Sequence, residues 1–351
     1  MKLNKLYILI IFNILVTVGL SGQDLHFTHF ELAPTLVNPG LAGQFSGTYR
    51  GSLVYRDQNR NGEINPYQTL SATVDLPVIR GFRKQDWLGA GLAIARDGAG
   101  SAGLRMSTFG LNVAYHLGLD KKQTSILSLG VQMTAGSLTF ANRELFFGSV
   151  FQSGMPSDIA RDFEANVQQG NTPGGMGGGP TRSGSLNDLQ VGLVYNARGK
   201  TTDFKIGASV EGILGPNRAY QNGTDEKAIG INGFVEYTHA NSKRSYLTHR
   251  VFYYTQDGGS AINANSRYHY KVNPEKDLYI YGGLGTRVFR SALLFAGIQT
   301  GPWRAGLSYD LDLDSSIEAT EMHQALEIGV TYLGIINKRP KVDPIIYCPR
   351  I

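Results

Sequence analysis

Apolar and polar residues alternate one by one along much of this chain, and this period of two places successive side chains on opposite faces of a β-strand. In one clear stretch Phe109 and Leu111 fall on one face, whereas Gly110 and Asn112 fall on the other. The same alternation recurs near the end of the chain, at residues 323–334. The pattern therefore predicts an all-β protein.

About fourteen segments of this kind can be counted, and each has about ten residues, the length with which a tilted strand crosses a bilayer. An even number of strands returns the chain to the side of the membrane from which it started, as in bacterial single-chain barrels. The predicted strands are 44–55, 65–78, 87–96, 104–118, 125–138, 187–197, 204–214, 228–238, 245–255, 260–272, 277–289, 291–300, 302–312 and 323–334.

Two architectures accommodate such strands. A secreted β-sandwich packs its apolar faces into a core, whereas a transmembrane barrel turns them to lipid and its polar faces to a lumen. The polar faces of this chain are mostly Gly, Ser, Asn and Ala, which suit a crowded inner wall. Aromatic residues also gather beside the short connections, as in the interfacial girdle of a barrel: Trp87, Tyr115, Tyr195, Phe204, Tyr237, Tyr246, Tyr270, Tyr279, Trp303 and Tyr332. The sequence therefore favours a single-domain outer-membrane β-barrel of about fourteen antiparallel strands.

Composition excludes several other classes of protein. The 351 residues include 44 glycines and one cysteine, and 17% of them are charged, against about 7% glycine and about 25% charged residues in an ordinary soluble domain. The apolar fraction of 42% is too high for a disordered chain, and a single cysteine cannot form a disulfide within the chain. Leu6–Leu20, the longest apolar run, falls short of the roughly 20 residues of a spanning helix.

Residues 1–22 have the features of a secretory signal peptide, because two lysines precede the apolar run Leu6–Leu20 and the small residues Ser21 and Gly22 follow it. An N-terminal anchor helix is the alternative interpretation. After the signal we expect a plug or lead-in segment at 23–43, a barrel at 44–334 with a long extracellular insertion at 139–186, and a periplasmic tail at 335–351. Both ends of the mature chain are then expected in the periplasm.

The sequence contains no recognisable catalytic motif: neither a Gly-x-Ser-x-Gly elbow nor a His-Glu-x-x-His zinc helix occurs. His26 and His29 could share a metal ion, but with few carboxylates nearby a structural role is favoured. The isoelectric point is about 9.1, yet no basic cluster or aromatic-interleaved stripe points to nucleic acid. We therefore expect a protein that is not an enzyme and has no catalytic residues, metal, cofactor or nucleic-acid partner.

The stretch from residue 23 to residue 58 is the most distinctive part of the sequence. It contains Gln23-Asp24-Leu25-His26-Phe27-Thr28-His29-Phe30, Pro34, Asn38-Pro39, Leu41-Ala42-Gly43, Tyr49-Arg50 and Tyr55-Arg56-Asp57-Gln58, and further motifs follow at Ser71–Pro77, Trp87–Gly91 and Arg96–Gly100. In these residues the chain resembles the PorP/SprF family of outer-membrane proteins, which accompany the type IX secretion system of Bacteroidetes.

The resemblance implies that the barrel binds, delivers or anchors a large type IX-secreted surface protein, often an adhesin, that carries a type B C-terminal sorting domain. It implies a part in protein secretion and gliding motility, with outer-membrane lipid and other type IX components as further partners. The residues expected to contact the partner or to pack within the plug are His26, Phe27, Phe30, Pro34, Asn38, Pro39, Arg50, Tyr55, Arg56 and Asp57. The alternative function is an outer-membrane channel for diffusion or uptake of a small or hydrophobic solute.

Overall fold

The computed structural model describes residues 27–58, 67–80, 83, 85–99, 104–140, 183–215, 228–256, 259–273, 275, 277–288, 291–313 and 324–336. The expected signal peptide, His26, most of the expected insertion at 139–186 and the tail beyond residue 336 lie outside these ranges. Within them, the chain forms a 3-10 turn at Phe30–Leu32, a short helix α1 at Pro34–Val37, a second 3-10 turn at Pro39–Leu41, and then fourteen strands.

The strands follow one another along the chain with bounds close to the predicted ones. They are β1 Tyr49–Gln58, β2 Tyr67–Arg80, β3 Trp87–Ala99, β4 Leu104–Gly118, β5 Ser125–Phe140, β6 Ser183–Arg198, β7 Thr202–Glu211, β8 Gly230–Ser242, β9 Ser245–Gln256, β10 Gly259–Asn273, β11 Leu278–Arg287, β12 Ser291–Thr300, β13 Trp303–Asp312 and β14 Gln324–Gly334. Strand β1 begins at Tyr49 and not at residue 44, because residues 45–48 are still bends of the preceding segment.

All fourteen strands form one closed barrel in which each strand pairs antiparallel with its sequence neighbours. Strand β1 closes the barrel against β14, with Tyr49 opposite Gly334 and Gln58 opposite Ala325. Closure pairs the backbone groups of every strand on both sides, as a sheet in hydrocarbon requires. The predicted fold class, a barrel of fourteen antiparallel strands, is confirmed. Among the described residues, no helix is long and apolar enough to cross a membrane.

The two ends of the barrel differ. At one end, here called the turn end, β1 begins, β14 ends, and successive strands are joined by short connections such as residues 199–201, 243–244 and 301–302. The opposite end, here called the loop end, carries the longest connections, above all the one between Phe140 and Ser183, although the connections 257–258 and 288–290 at this end are short. All three register irregularities of the sheet lie near the turn end, and one of them follows Pro77, which has no N–H for the ladder.

The two faces of the strands are those that the alternation predicts. Leu111 and Met133 are 51% and 55% exposed on the outer surface, where lipid solvates them, whereas neighbouring Asn112 and Gln132 are 1% and 5% exposed on the inner wall. The inner wall carries polar and charged side chains, and the outer wall carries a continuous apolar belt. This is the arrangement of a membrane-spanning barrel with a polar interior.

The aromatic girdle is smaller than the sequence predicts. Trp303 is 51% exposed and forms an edge contact with Tyr332 on the outer surface, as expected. Trp87, Tyr246 and Tyr279 instead face the lumen: Trp87 stacks on the buried ring of His116, and Tyr246 contacts Tyr279 and buried His269. The prediction was wrong for these three rings because closeness to a turn does not fix the wall to which a side chain points; its place in the alternation does.

The core of the molecule lies inside the barrel, where residues 27–48, here called the lumenal segment, fill much of the lumen. Phe30, Val37 and Leu41 pack against Val194, Phe252 and other apolar residues of the inner wall. Phe27, Leu32 and Ala33 pack around Val54 of β1. A compact run of short turns lets this segment bring its apolar side chains against several strands within a few residues.

Glycines of the inner wall make room for the lumenal segment. A Cβ atom at Gly130 would collide with the backbone of Pro39 and Gly40, and one at Gly192 would collide with the Asn38 side chain. Gly89 faces the backbone of Ala42 in the same way. The small residues on the predicted polar faces therefore have a physical function, since they allow a second layer of chain to pack directly on the wall.

We expect Leu111→Arg to impair barrel assembly, because a cation on the lipid-facing wall near the middle of the bilayer costs about 2–4 kcal/mol. Gln299→Arg is the control, since Gln299 borders the open part of the lumen. The measurement is the fraction of purified protein that shows heat-modifiable migration on a gel. Equal losses in the two variants would mean that the faces of the wall are assigned wrongly.

We expect Gly130→Ala to displace the lumenal segment while leaving the barrel closed, because the added methyl group meets backbone that cannot rotate away. Gly282→Ala is the matched control, since the nearest atom to its new Cβ lies 3.9 Å away. The reporter is Thr35→Cys, at a fully buried position of the segment, in a Cys348→Ser background without other cysteines.

The measurement is the rate at which a water-soluble maleimide labels this cysteine. Labelling should accelerate in the Gly130→Ala protein and stay slow in the Gly282→Ala protein. The close packing of the segment on β5 would be refuted by equally slow labelling in both.

Candidate functional site in the barrel lumen

The structure divides the sequence-predicted site residues into two groups. Phe27, Phe30, Pro34, Asn38 and Pro39 are buried in the lumenal segment, and Arg50 and Arg56 reach it from the inner wall of β1. Tyr55 and Asp57 alternate with these arginines and belong to the outer face of β1, where the Tyr55 hydroxyl donates to Asp57 Oδ2 at 3.0 Å. His26 lies outside the described residues. The structure therefore brings seven of the ten residues together.

A cluster of charges holds the start of the lumenal segment, and we call it the Thr28 clamp. Its members are Thr28, Arg56, Arg287, Asp310 and Glu327. Arg56 lies 2.9 Å from an oxygen of Asp310 and 3.2 Å from one of Glu327. The Thr28 hydroxyl donates to Asp310 at 2.9 Å, and Arg56 donates to the same hydroxyl oxygen at 2.7 Å. Arg287 approaches Asp310 at 3.3 Å.

Glu327 also binds the backbone of the segment. One carboxylate oxygen accepts the N–H of Thr28 at 2.8 Å, and the other accepts the N–H of His29 at 2.6 Å. The Glu327 side chain is fully buried, so these charge-assisted bonds offset the cost of removing it from water. The clamp thereby joins β1, β11, β13 and β14 to a single point of the lumenal segment.

Glu31 forms a second charged contact of the segment. Its Oε1 pairs with Arg267 of β10, and His29 Nδ1 lies 3.0 Å from the same oxygen. Burial on its own raises the pKa of the Glu31 carboxyl, but the positive charges of Arg267 and Arg250 and the bond from His29 outweigh it and hold this pKa well below its ordinary value. Glu31 therefore stays ionised at neutral pH, and acid would weaken the contact only well below the ordinary carboxyl range.

Asn38 fixes the middle of the segment. Its Nδ2 donates to the carbonyl of Ala208 at 2.8 Å, and its Oδ1 accepts the N–H of Gly40 at 2.8 Å, which caps the 3-10 turn that starts at Pro39. Asn and Pro suit this turn because the amide side chain bonds its own backbone and proline fixes φ. The Asn38-Pro39 pair therefore serves plug packing.

The last part of the segment is fixed near the turn end. Asp75 of β2 accepts the N–H of Gly43 at 2.7 Å and pairs with Arg50 at 2.7 Å. The Trp87 indole donates to the carbonyl of Gly43 at 3.0 Å. His116 Nε2 lies 2.7 Å from the carbonyl of Ala42, and since a carbonyl can only accept, this nitrogen carries the proton. The segment is thus held along its whole described length.

Among the described residues, a larger and a smaller cavity border the lumenal segment. The larger has a volume of about 700 Å³ and reaches the turn end, since its lining includes Arg198, Lys200 and Leu333. Seven cationic and three acidic side chains line it. The smaller has a volume of about 140 Å³ and lies between the rings of Phe27, Phe30 and Phe252 and polar groups of the wall. We call the larger one the basic cavity.

Three residues that sequence reasoning did not single out also hold the lumenal segment: Asp310, Glu327 and Arg267. Asp310 lies between Tyr309 and Leu311, and Glu327 lies between Leu326 and Ile328, so alternation predicts that both point inward, but it does not predict that they meet Thr28. Among the described residues, no group of three or more His, Cys, Asp or Glu side chains is placed to hold a metal ion. The arrangement of these groups can hold a polypeptide segment in place by ion pairs and backbone hydrogen bonds.

Solved structures with a similar fold are outer-membrane barrels. The toluene transporter TbuX of Ralstonia pickettii aligns with a TM-score of 0.50 and 10% identity, over 87% of this chain and 94% of that chain. The TodX deltaS2S3 mutant, a monoaromatic hydrocarbon channel, aligns with a TM-score of 0.51 and 10% identity, over 86% of this chain and 93% of that chain. At such identity the likeness concerns the fold alone. No curated protein matches the sequence.

The sequence also matches one family profile, described as type IX secretion system membrane protein PorP/SprF, over residues 20–332. The match includes the lumenal segment, β1 to β13 and all but the last two residues of β14, so it covers the site together with the barrel that holds it. The resemblance seen in the first part of the chain is thereby confirmed, and with it an outer-membrane location. The chain belongs to the PorP/SprF family of type IX secretion system membrane proteins.

Proposed function

We propose that this protein is a closed outer-membrane anchor that binds, delivers or holds a large type IX-secreted surface protein with a type B C-terminal domain. The observation that carries the proposal is the filled lumen: residues 27–48 pack against the inner wall from the Thr28 clamp to the turn end. A barrel whose interior is occupied by its own chain is suited to holding a partner. It is poorly suited to continuous passage of solutes.

The energetics of the clamp support a closed state. Moving the start of the segment out of the lumen would separate Thr28 and His29 from Glu327. It would also remove the Thr28 hydroxyl from Arg56 and Asp310 in a site where Arg56 and Glu327 are almost fully buried. Each hydrogen bond to a charged group that is lost in this way typically contributes about 1.5–3 kcal/mol. An open lumen would therefore be a rare state of the isolated barrel.

The difference between the barrel ends supports an orientation. We place the turn end in the periplasm, together with the start of β1 and the end of β14, because bacterial barrels have short periplasmic turns and longer extracellular loops. The loop end then faces the surface and offers its long connections to the cargo. In this proposal the protein is not an enzyme, since anchoring needs binding surface and no bond-breaking chemistry.

A solute channel is the second candidate, and the small cavity favours it. The rings of Phe27, Phe30 and Phe252 border a space of about 140 Å³, which suits a single small apolar molecule. The TbuX and TodX barrels, described as a toluene transporter and a hydrocarbon channel, have the same overall fold. Against this candidate, Gln132, Gln190 and other polar side chains share the lining, and hydrocarbon gains little from such groups.

We expect one large secreted protein to remain attached to the barrel after gentle detergent extraction of native membranes. Deleting the gene should remove that protein from the cell surface while general type IX secretion continues, because an anchor serves one cargo and the translocon serves many. The measurements are mass spectrometry of the purified complex and a surface proteome of the deletion strain. An unchanged surface proteome would contradict the anchoring role.

We expect the wild-type barrel to be electrically silent in a planar lipid bilayer, whereas Asp310→Asn combined with Glu327→Gln should produce intermittent openings. The double change leaves buried Arg56 without its two carboxylates and weakens the bonds to Thr28 and His29. Glu236→Gln is the control, since Glu236 pairs with Arg250 and Lys205 on the wall. A steady, solute-selective conductance of the wild type would instead favour the channel.

A further inference from the structure

The basic cavity contains more positive charge than its own carboxylates can compensate. Arg250 pairs with Glu236 at 2.6 Å, and Lys205 reaches the same carboxylate at 3.6 Å. Asp75, which does not line the cavity, pairs with Arg50 and compensates its charge. Seven cations against three acids line the space, so several cations share a carboxylate and an anion entering the cavity would meet a positive potential.

Arg304, like Lys200, lines the cavity without an ion pair among the described residues. It belongs to the inner wall of β13, alternates with the lumenal residues Ser308 and Asp310, and is exposed to the cavity. Among the described residues, no carboxylate oxygen lies within 4.0 Å of its guanidinium. Arg50, Arg250 and Glu236 all line the same space, so Arg304 faces cations as well as a carboxylate that is already paired with Arg250 and Lys205.

The cavity also contains polar groups and rings that suit a specific ligand. His269 is 7% exposed, both of its ring nitrogens lack a partner in the described structure, and its ring lies between Tyr246 and Tyr281 at 4.2 and 4.8 Å. Arg250 Nη1 and Arg267 Nε are further buried donors without a partner among the described residues. Buried donors of this kind normally have an acceptor.

The size and the access of the cavity restrict the ligand. About 700 Å³ is within the range of sites that enclose a small molecule or a short peptide. The barrel wall separates the space from the acyl chains, and its mouth lies among turn residues such as Gly199 and Thr201. The ligand therefore enters from water at the turn end.

We propose that the basic cavity is a binding site for carboxylate ligands, in which Arg304 makes the principal ion pair at the mouth and Arg250 and Lys205 add positive charge on the neighbouring wall. A planar guanidinium binds a carboxylate through two parallel N–H···O bonds. The chemistry is the same for an acidic peptide segment and for a small free polycarboxylate. This inference goes beyond cargo anchoring, which concerns the loop end, and it can hold or fail independently.

The test uses the full mature chain in a neutral detergent and fluorescein-labelled hexaglutamate as the probe, with hexaglutamine as the uncharged comparison. Fluorescence anisotropy at low ionic strength should give saturable binding of hexaglutamate alone. Arg304→Glu should weaken that binding about tenfold or more, because it turns an attraction into a repulsion. Arg304→Lys should keep most of it.

Arg244→Glu is the matched control, since Arg244 is exposed in the turn between β8 and β9 and does not line the cavity. Each variant is first checked for heat-modifiable migration, so that loss of binding is not loss of fold. Equal affinity in the wild type and Arg304→Glu would overturn the proposal, and so would an equal loss in Arg244→Glu or equal binding of hexaglutamine.

A competition with citrate identifies the source of the carboxylates. Displacement of hexaglutamate by millimolar citrate would support the site as one for small polycarboxylates. Displacement by unlabelled hexaglutamate but not by citrate would support it as a site for acidic polypeptide. The Arg304→Lys variant retains the positive charge, so its binding should follow that of the wild type. This result would show that the loss in Arg304→Glu comes from the charge and not from a change in structure.

Discussion

The structure depends on the pairing of β1 with β14. In hydrocarbon an unpaired backbone N–H or C=O has no water molecule with which to form a hydrogen bond, so a sheet with free edges is not stable there. The hydrogen-bonded register from Tyr49–Gly334 to Gln58–Ala325 removes the last two edges. Once the sheet is closed, side chains have only two environments, and the alternation along each strand assigns them to lipid or lumen.

Closure creates an interior that has to be filled or left to water, and in this chain residues 27–48 fill much of it. The wall accommodates them because residues such as Gly130 and Gly192 have no side chain at the points of closest approach. Apolar contacts around Phe30 and Val54 then form the core that the lipid-facing strands cannot form among themselves. Only the thickness of the barrel wall, one layer of strands, therefore separates the apolar core in the lumen from the lipid outside.

The lumen uses charge in two different ways. In the Thr28 clamp, Arg56, Asp310 and Glu327 satisfy one another and the backbone of the segment, so the charges stabilise a fixed arrangement. In the basic cavity the cations outnumber the carboxylates, so the cavity is complementary to an anionic ligand from outside the described chain. The first arrangement is typical of a structural contact, and the second of a binding site.

Alternation by itself determined the number of strands, most of their bounds and the wall to which each side chain points, because these properties are local to a strand. It also placed Asp310 and Glu327 on the inner wall. It could not decide where the lumenal segment lies, or that Thr28 meets Asp310 and Glu327, which are 282 and 299 residues away. Those contacts exist only because closure of the barrel brings β1, β13 and β14 side by side around one lumen, and sequence periodicity contains no information about neighbours across a closed wall.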